Sequence, residues 1–433
     1  MIRLQKYRGL IYVVFFCLAV WFLGIHTEAQ IPRVHALSAV LMDGDTGRVL
    51  YGKEQDQVRA MASTTKIMTA ILILENCDLE EEVTISKEAA GNPKVKLYLR
   101  AGETYTVNQL LHSMLLESHN DSAYAVAEHL GEKLRQSGRD WEGLSAMQCF
   151  LRYMNGKAME IGCKNTNFLT PNGLDILPGQ EEQTVTVPHQ TTAVDLATMM
   201  RYCLYLSPKK DVFQSIACTR QYSFCQNNRQ FTLSNKNALL SMCEGVLAGK
   251  TGFTTKAGYC YVCGVNSNGK SFIISLLGSG WPNHKNYKWE DVRKLLHYGA
   301  ENYELHSLSS WVGTKEEETS LPVFDGEEDF VSVHTKGMEA AKETFLLHKD
   351  EKVKRVVELP KKVTAPITEG QKVGEIRYMV GDTLLCTESL VAGDSIKKKS
   401  WLWYLGRVLR GFLCRNEKNT FPVAAFMVYY LRY

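Results

Sequence analysis

Ser63 and Lys66 stand three residues apart in Ser63-Thr64-Thr65-Lys66, at the head of an almost unbroken apolar run from Ile67 to Leu74. A run that is apolar on every side predicts a helix buried all round, and residues three apart share a helical face. The spacing therefore sets a hydroxyl beside an amine. The positive end of the helix dipole and desolvation both disfavour an ammonium in the first turn. A lysine so placed can act as a base toward the serine. The backbone N–H of Ser63, open at the helix start, can help hold an oxyanion. Alone the pair is weak, because a serine N-cap followed by a solvated lysine has the same spelling.

Two further stretches add to it. Ser118-His119-Asn120-Asp121 breaks a helical pattern running over residues 104–130, so its side chains can project from a turn. Lys250-Thr251-Gly252 sits in a β-rich run between small residues, where a ligand can approach the backbone closely. With Gly245 and Gly249 it resembles a phosphate-binding loop. That loop needs four residues between its glycines and a helix after the lysine. Here three residues separate them, and a turn and another strand follow. Nucleotide binding is excluded on that ground. There is no G-x-S-x-G elbow and no H-E-x-x-H zinc helix.

The elements that must carry these residues are legible. Residues 36–53 read as a hairpin around Asp43-Gly44-Asp45-Thr46-Gly47, and amphipathic helices follow in "DWEGLSAMQCFLRYMNGKAMEIG" and "TTAVDLATMMRYCLYL". Strands return in "GVLAGKTGF", "AGYCYVCGVNS" and "GKSFIISLLGS", the last two joined by the hairpin turn Asn268-Gly269. "KWEDVRKLLHYGAENYEL" is again helical. Residues 33–306 thus form one α+β domain with strands at both ends of the chain segment and helices between. Residues 318–395, including "TFLLH", "KRVVELP", "KVGEIRYMV" and "TLLCTESLVA", form a small β-rich domain.

The two termini differ in kind. Arg3, Lys6 and Arg8 precede an apolar run from Leu10 to Ile25 and a small-residue site before Gln30, which reads as a signal peptide over residues 1–29. Residues 398–415 read as an amphipathic helix suited to the membrane interface, with basic residues drawn to anionic lipid. The tail 416–433 has no assigned role. A net charge of +3 with 22% charged residues argues against a nucleic-acid binder. Cys260 and Cys263 form a C-x-x-C within a strand, with no second pair at zinc spacing, and read as small core residues. No metal or cofactor is expected.

The order S-x-x-K, S-x-N, K-T-G is the set used by penicillin-recognising serine enzymes. With "ASTTKIMTA", "SHNDSA", "TPNGL", "TTAVDLA" and "GKTGFTTKAGYC", residues 36–305 resemble the D-alanyl-D-alanine carboxypeptidases, low-molecular-weight penicillin-binding proteins. The β-rich segment with "APITEGQKVGEI" resembles that family's second domain, and the terminal helix its anchor. The resemblance implies a penicillin-binding/β-lactamase-like transpeptidase domain followed by a small all-β domain. It implies a peptidoglycan stem peptide ending in D-Ala-D-Ala as substrate, β-lactams as covalent ligands, and a place at the outer face of the cytoplasmic membrane or in the cell-wall space. By the same resemblance Ser63 is the nucleophile, Lys66 its base and Ser118 a proton relay. Asn120 holds the substrate amide and Lys66, and Lys250 and Thr251 hold the terminal carboxylate. The N–H groups of Ser63 and Phe253, beside Gly252, form the oxyanion hole.

Departures and rivals are visible too. His119 stands where the motif usually has a smaller residue and is expected to point outward. Lys288 stands where relatives carry an arginine near the substrate carboxylate. Asn172, Gly173 and Asp195 are read as structural. A serine β-lactamase would need a deacylating glutamate; Glu181 and Glu182 lie in a loop, but without E-x-x-x-N. Cross-link cleavage by a D,D-endopeptidase would use the same residues. A non-catalytic cell-wall binder would lack Ser63 or Lys66, and both are present.

Overall fold

The computed structural model describes residues 31–175, 187–307, 319–336 and 344–413. Residues 1–29, which the sequence reads as a signal peptide, Glu181 and Glu182, and the tail 416–433 lie outside the described residues. The chain divides into two units. The first comprises residues up to 305 with 345–349, the second 306–344 and everything from 350.

The first unit is built on a five-stranded sheet. The hairpin β1 (Ser38–Asp43) and β2 (Val49–Lys53) comes from the start of the chain. β3 (Val246–Thr254), β4 (Gly258–Ser267) and β5 (Lys270–Leu277) come much later. The order is β2-β1-β5-β4-β3, antiparallel throughout, so β1 pairs with the last strand and β3 forms an edge. Asn268 and Gly269 take φ of +53° and +77°, the doubly left-handed turn their sequence predicts between β4 and β5.

Both faces of this sheet are covered. Side chains alternate along a strand, so Val40 and Met42 point into one core with Val262 and Ile273. Leu41, Tyr261, Ile274 and Leu276 point into the other, against Trp289, Val292 and Leu295 of the helix Tyr287–Asn302. This is why the strands read as nearly continuous apolar runs rather than alternating ones. Cys260 and Cys263 are fully buried free thiols, as their strand setting suggested.

The first core also holds helix α1 (Lys66–Asn76). Every residue from Lys66 to Leu74 is buried. Six of them are large aliphatic residues, worth on the order of 10 kcal/mol gross at about 1.5–3 kcal/mol each. Burying an ammonium costs several kcal/mol, so the apolar residues around it can hold Lys66 inside. The helical region after residue 104 is interrupted as expected. Helix α2 (Val107–His112) starts on a capping box made by Thr106 and Gln109, widens into a π-helical turn at Ser113–Glu117, and stops at Ser118 with φ +70°. Helix α3 (Asn120–Ser137) begins immediately after.

One strand departs from the sequence reading. "TFLLH" was assigned to the β-rich domain, but residues 345–349 belong to the first unit. The strand Thr344–His348 pairs with Tyr303–Ser307, and Phe345, Leu346 and Leu347 are all buried. Leu346 joins the second core beside Leu50 and Tyr303. Three consecutive buried apolar side chains need cover on both faces, which an edge position in a small sheet does not provide.

In the second unit the remaining strands form a six-stranded sheet. Ile376 and Tyr378 face its core, with Val331 and Val333 from a neighbouring strand. Residues beyond 395 still belong to it. Ile396 is buried and exchanges backbone hydrogen bonds with Ile367, and Lys398 bridges to Gly326. A final helix, Trp401–Leu413, follows. Among the described residues no helix is long and apolar enough to cross a membrane.

Candidate active site

Ser63 lies in a single 3-10 turn, Ala62–Thr65, that leads directly into α1. Ala62, just before it, has φ +49°, a conformation that costs a non-glycine residue on the order of 1–3 kcal/mol. The turn presents Ser63 at the surface while its neighbours are buried. Lys66 Nζ lies 2.8 Å from Ser63 Oγ, as the three-residue spacing requires. The same ammonium nitrogen donates to Asn120 Oδ1 at 2.9 Å and to the carbonyl oxygen of Asn172 at 2.6 Å. All three partners are uncharged oxygens. Burial, reinforced by the Lys250 charge and only partly opposed by Asp121, holds the Lys66 pKa well below the usual lysine range.

Ser118 and Asn120 reach the site from the break between α2 and α3. Asn120 turns its oxygen to Lys66 and its amide nitrogen to the Pro93 carbonyl at 3.2 Å. Lys250 enters from the edge strand β3. Its Nζ donates to Ser118 Oγ at 2.8 Å and to the Thr251 carbonyl at 2.8 Å. Burial pushes its pKa down to about 7. Gly252 shares the strand face of Lys250 and runs against the nucleophile turn, where a Cβ would come within 2.8 Å of the Ser63 nitrogen. Only glycine lets the strand lie this close. Thr251 is half-buried beside it, and the exposed Phe253 ring lies tilted against Tyr259, with centroids 4.6 Å apart. The three motifs thus converge although up to 187 residues separate Ser63 from Lys250.

His119 does not point outward. It is buried, with Nδ1 2.8 Å from Ser113 Oγ and Nε2 3.4 Å from a Glu117 carboxylate oxygen. The π-helical turn folds Ser113 and Glu117 back over the start of α3, which encloses the ring. Lys288 is buried too. Its Nζ donates to the Lys285 carbonyl and lies over the rings of Tyr259 and Trp289.

Several contributors were not evident from sequence. Asn172 does more than shape a turn, since its carbonyl accepts from both Lys66 and Ser63, the latter at 3.2 Å. Gly173 takes φ +82°, and a Cβ there would meet the Ala62 carbonyl at 1.9 Å. Asp121 is fully buried and accepts from the amides of Leu97 and Leu99, fixing the segment that supplies Pro93. The "PNG" turn and the aspartate after S-x-N were visible signals, but neither spelling reveals a contact. Asp195 is structural as read: it accepts from Asn165 and Thr166.

Among the described residues Cys77, Glu81 and His129 could approach a metal together, but the Lys133 ammonium already occupies both Glu81 oxygens.

A serine held against a buried lysine under the edge of an antiparallel sheet, with a second serine bridged to a second lysine, defines a serine hydrolase of the penicillin-recognising class. The chain belongs to the D-alanyl-D-alanine carboxypeptidase family, peptidase family S11, which it matches over residues 25–280. Residues 312–398 match the C-terminal domain of penicillin-binding protein 5. The chain is 30% identical over 382 residues to the D-alanyl-D-alanine carboxypeptidase DacF of Bacillus subtilis, covering 86% of this chain and 89% of that one. Penicillin-binding protein 5 of Haemophilus influenzae superposes with a TM-score of 0.63 at 25% identity, over 85% of this chain and 99% of that one. The carboxypeptidase DacD of Francisella tularensis shares the fold, with a TM-score of 0.62 at 24% identity over 87% and 97%.

The contact of Gly173 with Ala62 makes a prediction. Gly173→Ala should lower unfolding stability by about 2 kcal/mol, from the left-handed φ and the overlap. It should also slow labelling by a fluorescent penicillin in protein that remains folded. Urea denaturation and labelling rates check both; an unchanged rate would show that the turn does not set the nucleophile's position.

Proposed function

We propose that Ser63 attacks the carbonyl between the two terminal D-alanines of a peptidoglycan stem peptide, with Lys66 taking its proton. The enzyme is a serine-type D-alanyl-D-alanine carboxypeptidase that works through a covalent acyl-enzyme. One observation carries the role of Lys66: the lysine is wholly buried, yet every hydrogen bond it makes goes to a neutral oxygen. A structural lysine at that depth would be paired with a carboxylate.

In this reading the serine oxygen bonds to the carbonyl carbon as its proton passes to Lys66. The N–H groups of Ser63 and Phe253 take the developing oxyanion. The proton then moves through Ser118 to the nitrogen of the departing D-alanine, and the peptide bond breaks. Water hydrolyses the ester and frees the shortened peptide. Asn120 keeps Lys66 in place and meets the substrate amide. The edge of β3 offers backbone groups to an extended peptide, with Lys250 and Thr251 toward its carboxylate. That carboxylate raises the pKa of Lys250 and keeps it charged. A charged Lys250 in turn favours the neutral form of Lys66, so binding prepares the base. A β-lactam, with a reactive carbonyl and a carboxylate, acylates Ser63 by the same first step and is held as an ester.

We also assign the helix Trp401–Leu413 to the membrane surface and residues 1–29 to export. Trp401, Leu402, Leu405, Val408 and Leu409 are exposed, Trp401 by 72%, while Arg407 and Arg410 supply positive charge. An apolar face with basic flanks suits an anionic lipid interface. The substrate is then met outside the cytoplasm.

Three outcomes are expected. Ser63→Ala should abolish D-alanine release from a D-Ala-D-Ala peptide and penicillin labelling, with circular dichroism unchanged; retained release would overturn the assignment. The kcat/KM for such a peptide should rise with pH as Lys66 loses its proton. It should fall again as pH climbs through about 7, where Lys250 in the free enzyme loses its charge. In Lys250→Arg, charged at all these pH values, the alkaline fall should vanish even if the rate is lower. The third concerns the anchor. Because Ile396–Lys399 pair within the β unit, truncation belongs after Lys399 rather than after Ser395. That variant should be soluble and active, and membrane retention through washing would show that the helix is not the main anchor.

A further inference from the structure

Two residues after the serine of the nucleophile turn stands Thr65, and Thr65 leads to a histidine that the mechanism does not use. His189 is buried, and its ring makes two hydrogen bonds. The backbone N–H of Leu169 donates to Nδ1 at 3.0 Å. An amide N–H can only donate, so Nδ1 carries no proton and Nε2 must carry it in the neutral ring. Nε2 lies 2.9 Å from Thr65 Oγ1 and therefore donates to it. The Thr65 hydroxyl passes its own proton on to the Ala62 carbonyl at 2.8 Å. Every donor and acceptor along this chain is thereby fixed.

The two ends of the chain are the two halves of the site. Leu169 opens the segment that reaches Asn172, whose carbonyl accepts from Ser63 and Lys66. Ala62 is the residue before the nucleophile, and its carbonyl also lies against Gly173. We propose that His189 is a positioning residue for acylation: its neutral ring ties the Leu169–Asn172 segment to the 3-10 turn and so sets the Asn172 carbonyl against Ser63 and Lys66. Three observations bear on it: the hydrogen-bond direction, the burial, and the shared contact at Ala62. Burial, followed by the charges of Lys256 in the β3–β4 turn and of Lys66, pushes the ring down to about 4. Both charges are cationic, and the ring also meets the edge of Phe168. It is therefore neutral at physiological pH, in the one state that can bridge Leu169 and Thr65.

The proposal rests on Ser63 as nucleophile, and the test separates the two. Acylation by a fluorescent penicillin is followed by stopped flow, giving the non-covalent dissociation constant and the acylation rate separately. His189→Phe keeps an aromatic ring and removes both hydrogen bonds. It should slow acylation by about 10–100-fold, the scale expected for a misplacement of reacting groups near 1 Å. The non-covalent constant should stay within a few-fold. His189→Gln, which can still donate to Thr65, should recover most of the rate. Thr65→Val breaks the same chain from the nucleophile side with nearly equal volume, and serves if His189→Phe does not fold. It should show the same loss, and the double variant should lose no more than either single one.

A folded His189→Phe or Thr65→Val that acylates at the wild-type rate overturns the proposal, as do fully additive losses in the double variant. If Ser63→Ala still labels, the nucleophile assignment fails and this proposal falls with it. Serine-dependent labelling that the His189 and Thr65 variants leave untouched removes this proposal alone.

Discussion

The site depends on a lysine that is buried with no carboxylate among its hydrogen-bond partners. An ammonium taken out of water must be paired or must give up its proton. Around Lys66 the protein supplies three neutral oxygens and a second lysine, and burial with that second charge holds its pKa well below the usual lysine range. The cost falls on the helix that carries it. That helix buries a continuous apolar surface from Ile67 to Leu74, large enough to hold the lysine at its first turn. A lysine on the same helix with one exposed face would stay protonated and leave Ser63 an ordinary hydroxyl.

Close approach of backbones is the second constraint. The edge strand and the turn before Leu174 both press against the 3-10 turn, and each does so through a glycine, Gly252 and Gly173. These contacts leave no room for Cβ atoms. They also place main-chain groups, rather than flexible side chains, around the reacting serine. Main-chain groups lose little freedom when substrate binds, so their positions are set before the reaction begins. The strained Ala62 belongs to the same arrangement, since its carbonyl receives Thr65 and abuts Gly173.

Among the described residues, those of this constellation all belong to the first unit. The sheet of the second unit closes with residues 396–399, and the helix that follows leaves its apolar side uncovered. The strand segment 345–349 also belongs to the first unit.

Much of this was legible in the sequence because it is local. The Ser63–Lys66 spacing fixes a helical neighbour pair, the apolar run fixes burial, and Asn268-Gly269 fixes a hairpin. Three short motifs in order pointed to one reaction class. What the sequence could not carry were contacts made through carbonyl oxygens and buried rings. Nothing in the letters of Asn172 says that its main chain, rather than its amide, faces Lys66. His119 was expected outside, but the π-helical turn, a tertiary choice, folded Ser113 and Glu117 over it. His189 gave no signal at all, since its partners come from segments 20 and 124 residues away. The sequence determined which groups could do the chemistry, through spacing and polarity along one chain. Their order in space, the pKa of each lysine and the support behind the nucleophile came from packing distant segments together, because burial and hydrogen-bond direction exist only once those segments meet.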